Sequence, residues 1–354
     1  MLQCGEGRLN MSSSRVSMKD VAKAAGVSLS AVSRVLNNSG YISEDKRETI
    51  EKVIRDLDYR PNVIARSLVK NKTKTIGLCL PYLNSPFISS LMEGIEAKSE
   101  KYGYDVFMSH TRDNPDAERN AMFRMLDRQI DGIIVVPVVG DRHYFEEIIE
   151  LTPTMILLRK PKGIKRNLIC AADYQAAKRS FSLLLENGHR DIGIIGGPLT
   201  VSTIRERWRA IKELLRKHRL KLPPERIIET PFSYQDSYTA AKGMLMQKKP
   251  PTAIYVMHYW ASTALMRLLH EMRIKLPEDL SVVTYESFED WNLMSPFHIA
   301  TNIFPAVKIG EAAVTRLHEL ISGNKLFMDE NMEIEQSFYP FDSVRDIRPA
   351  SRSR

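Results

Sequence analysis

The sequence predicts an α/β protein in which a small all-helical domain precedes two doubly wound parallel-sheet units. Three observations carry this reading. Residues 18–60 show helical periodicity and contain no strand-like run. From residue 75 onward, short apolar runs alternate with amphipathic stretches of helical length. The positive charge is gathered at the front: residues 1–75 hold 14 Lys/Arg against 8 Asp/Glu, whereas the other 279 hold 37 against 35. The 354 residues leave room for two or three domains. A basic terminal domain favours a polyanionic partner, although a solvated charged face gives the same count.

Taken in order, "MLQCGEGRLNMSSSRVS" (1–17) reads as a polar, disordered leader with alternative starts at Met11 and Met18. It lacks an apolar signal-peptide core, which argues against secretion. The first helix follows in "MKDVAKAAG", with Val21, Ala22 and Ala25 on one face. "SLSAVSRVLN" is the second, N-capped by Ser28, with Leu29, Val32, Val35 and Leu36 on one side. "NNSG" breaks the chain. "SEDKRETIEKVIRDLDY" is the third helix, with Ser43 as N-cap and a buried stripe of Ile50, Val53, Ile54 and Leu57. Pro61 stops it. Asn62 can cap a short helix through Leu68, too short to be stable until something packs against it. Lys70, Lys72 and Lys74 line a polar connector.

The strand-like runs are 75–81, 104–110, 131–137, 154–159, 167–172, 191–197, 252–257 and 281–285. Helical segments between them give parallel sheets with crossover connections. Sites in such sheets lie beyond the carboxyl ends of the strands, so a ligand between the two units faces the loops after these runs. The longest apolar runs, such as "GIIVVPVV" (132–139), are far too short for a membrane span. The three cysteines, Cys4, Cys79 and Cys170, form no spacing pattern. Cys79 and Cys170 sit in apolar runs and read as reduced core thiols of a cytoplasmic protein.

Ala22, Gly26 and Val32 read together as a helix-turn-helix. A small residue permits a close crossing, a glycine suits the turn, and an inward valine locks the pair. The exposed edge of the second helix carries Leu29, Ser30, Ser33 and Arg34. Ser and Arg can bond base edges or phosphates, and Leu can touch a thymine methyl. A plain three-helix bundle with a polar face is the bland alternative.

The run "MKDVAKAAGVSLSAVSRVLN…YISEDKRETIEKVIRDLDYRPNVIARSL" strongly resembles the headpiece of the lactose-repressor family of bacterial transcription regulators. The similarity continues through "DGIIVVP", "NGHRDIGIIGGP", "RERWRAIKELL" and "LPEDLSVVTYES", covering about residues 18–325. The resemblance implies a leader at 1–17, a headpiece at 18–60 and a hinge helix with linker at 61–74. It further implies a core resembling periplasmic binding proteins at 75–345, with two interleaved α/β subdomains, and a basic tail at 346–354. It implies a repressor that binds a double-stranded palindromic DNA operator as a homodimer, in some members a tetramer. A small effector in the interdomain cleft would control it, with no cofactor and no membrane partner. On DNA the expected contacts are Ser28, Leu29, Ser30, Ser33, Arg34, Asn62, Arg66 and Leu68, with Leu68 as a minor-groove wedge.

Eight residues are candidates for the effector: Phe87, Arg159, Arg207, His258, Tyr259, Trp260, Glu286 and Trp291. The cleft departs from the family. His258 and Tyr259 replace its usual Asn-Asp, and Leu158 replaces a frequent Asp. Against the family, these positions lose carboxylates and gain aromatics, which disfavours an ordinary polyhydroxylated sugar. Three readings follow: an anionic effector held by Arg207 and His258, a larger or more apolar sugar stacked on Tyr259 and Trp260, or a pocket filled by its own side chains with control by a partner protein. An enzyme is not expected, because HExxH, GxSxG and P-loop patterns are missing, and His143 with Glu146 and Glu147 reads as a solvated helix face and not a metal site. A transporter's solute-binding protein is the nearer rival; the basic head and the missing signal peptide argue against it.

Overall fold

The computed structural model describes residues 16–59, 72–138, 144–287, 298–324 and 330–349. Contacts divide the chain into two units, one up to Thr73 and one from Lys74 onward. Pro61, Asn62, Arg66, Leu68, His143 and Trp291 lie outside the described residues.

The first unit is a three-helix domain. Helix α1 (Met18–Ala24) opens on a capping box in which Ser17 and Asp20 satisfy each other's backbone N–H. Helix α2 (Leu29–Leu36) follows a turn at Gly26, whose φ of +64° is the left-handed conformation that glycine adopts without strain. Helix α3 (Glu44–Asp56) closes the domain. Val21, Ala22, Val32, Val35 and Ile50 form its core, joined by Tyr59. Two expectations change. Ser43 has N-cap backbone geometry, but its side chain makes no cap bond. Leu57 is exposed, because the helix ends at Asp56 and Asp58 turns left-handed; Tyr59 takes the buried place instead.

The second unit contains two six-stranded sheets. The first has the order β11-β5-β4-β3-β1-β2 and is wholly parallel: β1 (Thr75–Leu80), β2 (Asp105–His110), β3 (Gly132–Val135), β4 (Thr154–Leu157), β5 (Leu168–Ala171) and β11 (Met332–Ile334). Its helices are α4 (Pro86–Tyr102), α5 (Pro115–Asp127), α6 (Tyr144–Leu151) and, from late in the chain, α11 (Ala306–Ile321). The second sheet has the order β12-β10-β9-β8-β6-β7: β6 (Ile192–Gly196), β7 (Ile227–Glu229), β8 (Ala253–Val256), β9 (Ser281–Ser287), β10 (Ala300–Ile303) and β12 (Ser337–Tyr339). Only β12 runs antiparallel. Helices α7 (Asp173–Glu186), α8 (Ser202–Lys217), α9 (Tyr234–Leu245) and α10 (Tyr259–Glu271) flank it.

The chain crosses between the sheets three times, after β5, between β10 and α11, and between β11 and β12. The eight runs read from the sequence are all strands. Three-residue β7, β11 and β12 went unread because they are too short for alternation to show, and β10 because it follows an uninformative stretch. Cys79 and Cys170 are buried free thiols, and burial pushes the Cys170 thiol up to about 12. Among the described residues, no helix is long and apolar enough to cross a membrane.

Helix α11 docks on α4 through two glycines. A Cβ on Gly94 would stand 2.2 Å from the Val307 carbonyl oxygen, and one on Gly310 would stand 2.4 Å from that of Leu91. Both obstacles are backbone, so neither can step aside. Gly94→Ala is therefore expected to force the helices apart and lower stability by about 1–3 kcal/mol, read as a lower urea midpoint. A midpoint equal to that of the parent would show that the helices do not touch there.

Candidate functional site

Two regions have the character of sites, one in each unit. In the helical domain, Leu29, Ser30 and Arg34 form the exposed edge of α2, and Leu29 keeps 45% of its surface in water. Ser28 Oγ caps the helix by accepting from Ala31 N–H at 3.3 Å and lies 2.9 Å from Ser30 Oγ. Ser33 is tied to Asn37, whose side-chain amide donates to its carbonyl and hydroxyl at 2.8 and 3.3 Å. Arg34 lays its stem over Gly40, where φ is +72° and a Cβ would stand 3.4 Å from Arg34 Cδ. Sequence reasoning missed Tyr41, beside Gly40, which is 89% exposed.

The second site is a cleft of about 250 Å³ between the two sheets of the second unit. Seven residues singled out from the sequence line it together: Phe87, Arg159, Arg207, His258, Tyr259, Trp260 and Glu286. Six lie just beyond a strand's carboxyl end or on a helix that starts there, and Glu286 is the penultimate residue of β9, where a parallel sheet leaves room.

Arg207, on α8, is the buried centre of one wall. Its Nε donates to Asp173 Oδ1 at 2.9 Å, and its Nη1 donates to the Met257 carbonyl and to Glu286 Oε2, the latter at 3.4 Å. Its guanidinium carbon lies 3.7 Å from the Tyr285 ring centre. Tyr285 in turn donates to Asp173 Oδ1 at 2.7 Å. Consecutive strand residues normally point to opposite faces. Here Tyr285 and Glu286 both reach Arg207, and the β9–β10 ladder explains it. Thr284 pairs with Thr301 but Ser287 with Ile303, so β9 carries one extra residue, a bulge that re-aims its side chains. Burial opposes the charge on Arg207, but Asp173, Tyr285 and Glu286 outweigh it and hold the group firmly protonated. Burial raises the Asp173 and Glu286 carboxyls, with Arg207 pulling both back.

Arg159 holds the opposite wall. A γ-turn centred on Leu158 (φ +66°), in which Arg159 N–H donates to the Leu157 carbonyl at 2.7 Å, swings its side chain inward. Its Nη1 then donates to Asp113 Oδ1 at 3.1 Å and to the Pro137 carbonyl at 2.9 Å. Asp113 rises from a left-handed pair, Arg112 and Asp113, in the loop after β2.

His258 is an N-cap. Its Nδ1 accepts from Ala261 N–H at 3.3 Å, which places the proton on Nε2, 3.1 Å from Thr230 Oγ1. Burial, reinforced by Arg207, pushes its pKa down to about 3. Buried and uncharged, it brings no positive charge to an incoming anion, which weighs against the anionic reading. The departures at Leu158 and Tyr259 stand, but the cleft keeps the expected Glu286 and adds Asp113, with Asp173 behind it. Aromatic rings cover the rest. Phe87 packs edge-on against Phe304 at 4.6 Å, and Tyr259 against Trp260 at 5.3 Å.

Residues 17–62 match the profile of the bacterial regulatory proteins of the lacI family, and residues 181–337 match the periplasmic binding protein-like domain. The chain thus carries a lacI-family DNA-binding region followed by a periplasmic binding protein-like domain. It is similar to the HTH-type transcriptional repressor PurR of Pasteurella multocida (strain Pm70), with 27% identity over 86% of this chain and 92% of the relative. The ribose operon repressor of Haemophilus influenzae is 28% identical over 91% of this chain and 98% of the relative. The fold matches the lac repressor dimer bound to operator and the anti-inducer ONPF, with TM-score 0.83 at 24% identity over 93% of this chain and 99% of that one. It also matches the regulator CelR in complex with cellobiose, with TM-score 0.68 at 20% identity over 93% of this chain and all of that one. The relatives named here are transcriptional repressors and not enzymes.

Two predictions follow from the cleft. Arg207→Ala strands Asp173 in the interior and is expected to cost about 3–5 kcal/mol of stability, measured by urea unfolding. The second concerns His258. Unfolded, it titrates near the ordinary histidine value; folded, it titrates at about 3. Between those two pH values the unfolded chain binds the extra proton. Stability is therefore lost as pH falls from about 6.5 toward 3 and is unaffected above that window. His258→Asn, which keeps the cap, should flatten this part of the urea-midpoint profile; an unchanged slope would put the acid sensitivity elsewhere.

Proposed function

We propose that this protein is a transcriptional repressor that binds a palindromic DNA operator as a homodimer and responds to a neutral, polyhydroxylated effector of sugar type in its cleft. The observation that carries the effector reading is charge balance. Arg159 faces Asp113, Arg207 faces Asp173 and Glu286, and His258 is neutral. A phosphate or carboxylate entering the cleft would meet guanidinium groups already paired and a surplus of carboxylate. A sugar hydroxyl, in contrast, can donate to Asp113 or Glu286, and its ring can lie on an aromatic face such as Tyr259 or Trp260. The relatives named for repression support the repressor reading.

On the DNA side, Leu29 and Ser30 are short, so Arg34 bears most of the base reading, by a forked pair of bonds to guanine. Asn62, Arg66 and Leu68 belong to the same proposal as contacts from the hinge helix, and Trp291 as a further cleft residue. Ser28 and Ser33 serve through their caps, holding the reading edge in place.

Two measurements test this reading. Operator selection from random DNA, followed by titration at several salt concentrations, should give a palindrome bound with steep salt dependence. Arg34→Ala should weaken it by about 1–3 kcal/mol and relax one position per half-site. Calorimetry with matched pairs of neutral and phosphorylated sugars should show binding by a neutral member, weakened roughly tenfold or more by Asp113→Asn through loss of a charged hydrogen bond. Preference for the phosphorylated partners would overturn the effector class while leaving the DNA reading intact.

A further inference from the structure

Beneath the cleft, at the point where the chain crosses between the sheets, lies a polar seam that the effector reading does not use. Asn302 in β10 is completely buried, and neither Oδ1 nor Nδ2 of its amide finds a hydrogen-bond partner in the protein. Gln336, in the crossover between β11 and β12, is also buried. Its Nε2 donates to Tyr285 Oη at 2.5 Å, while its Oε1 has no partner.

The ladder places these orphans together. β10 pairs with β12 so that Asn302 faces Phe338 and Ile303 faces Ser337. Gln336 is therefore the diagonal neighbour of Asn302 on the same sheet face, within reach of a bridged contact. On the other side, the β9 bulge lies opposite Asn302, between the Thr284–Thr301 and Ser287–Ile303 pairs. A bulge leaves the ladder locally open. Three unpaired polar atoms of two buried amides thus converge beside an opened stretch of sheet. A buried amide without a partner is costly, and native interiors meet such groups with water, which makes two to four hydrogen bonds.

We infer that Asn302 and Gln336 hold ordered water inside the hinge. The water would accept from Asn302 Nδ2 and donate to Asn302 Oδ1 or Gln336 Oε1. It would extend the chain of bonds that runs from Gln336 through Tyr285 and Asp173 to Arg207. The position has a mechanical consequence. The crossovers after β10 and after β11 both pass this point, and Asp173 begins the helix after the crossover from β5. A bridging water can exchange partners as the crossovers twist, where a direct side-chain bond would fix one angle. The inference is independent of what the effector is.

The test is a crystal structure at a resolution that shows ordered solvent, together with the urea midpoint of Asn302→Leu. A water within about 2.7–3.2 Å of the Asn302 amide is expected, lost in Asn302→Leu with no rise in midpoint. An Asn302 amide without water, whether bonded only to protein or dry, would overturn the inference, as would an Asn302→Leu midpoint above the parent's. Should the leucine variant fail to fold, the parent crystal structure alone decides, since water at the amide is required and its absence refutes.

Discussion

The second unit is organised around a single buried guanidinium. Arg207 is almost wholly removed from water and would be intolerable there without Asp173, which is equally buried. That pairing explains features that otherwise look unconnected. Asp173 opens α7 directly after the first crossover, the β9 bulge turns Tyr285 and Glu286 toward the same cation, and the Met257 carbonyl at the end of β8 accepts its remaining bond. Elements distant in sequence are fixed by one planar donor group, and the cleft wall inherits their geometry. Arginine suits this place better than lysine, because its fork serves several acceptors at fixed angles while its face rests on Tyr285.

The same centre sets what the cleft can recognise. A guanidinium committed to two carboxylates offers little to an incoming anion. Burial keeps His258 neutral, and the nearby Arg207 cation reinforces it. Arg159 repeats the pattern on the opposite wall with Asp113. The cleft therefore presents paired charges and aromatic rings, a combination suited to hydroxyls on a ring more than to net charge.

Much of this was legible in the sequence. The head could be read because its helices carry their own punctuation: Ser28, Gly26 and the apolar positions Val21, Val32 and Ile50 each have a local physical role, whereas Ser17, the N-cap of α1, was hidden in what read as a polar leader. The eight longer strands were legible as apolar runs. In the cleft, the residues were legible but their partners were not. Asp113 lies in a left-handed turn after β2, a place no periodicity marks, and Asp173 looks like any helix-opening aspartate. Without them Arg207 and His258 read as a pair of free anion binders. Only the third dimension shows that one is neutralised and the other uncharged. The β9 bulge was hidden as well, because an extra residue in a strand leaves the hydrophobic run unbroken.

Under the proposed function, whether a ligand in such a cleft can change the protein's state depends on how firmly the two walls hold each other without it. One direct bond across the cleft runs from Lys160 N–H, after β4, to Ser202 Oγ at the start of α8, at 2.9 Å. A neutral hydrogen bond of this kind contributes about 1 kcal/mol net. Moving an equilibrium from one state almost wholly to the other takes about 5.5 kcal/mol of differential binding. The direct latch is thus small beside what a ligand touching both walls can supply through Asp113, Glu286 and the rings. A cleft shut by strong bonds of its own would leave a ligand nothing to decide. Because the strong interactions at Arg207 lie within one wall, and those at Arg159 within the other, each wall is held together while the angle between them is left to weaker contacts, and that angle is what the proposed effector would control.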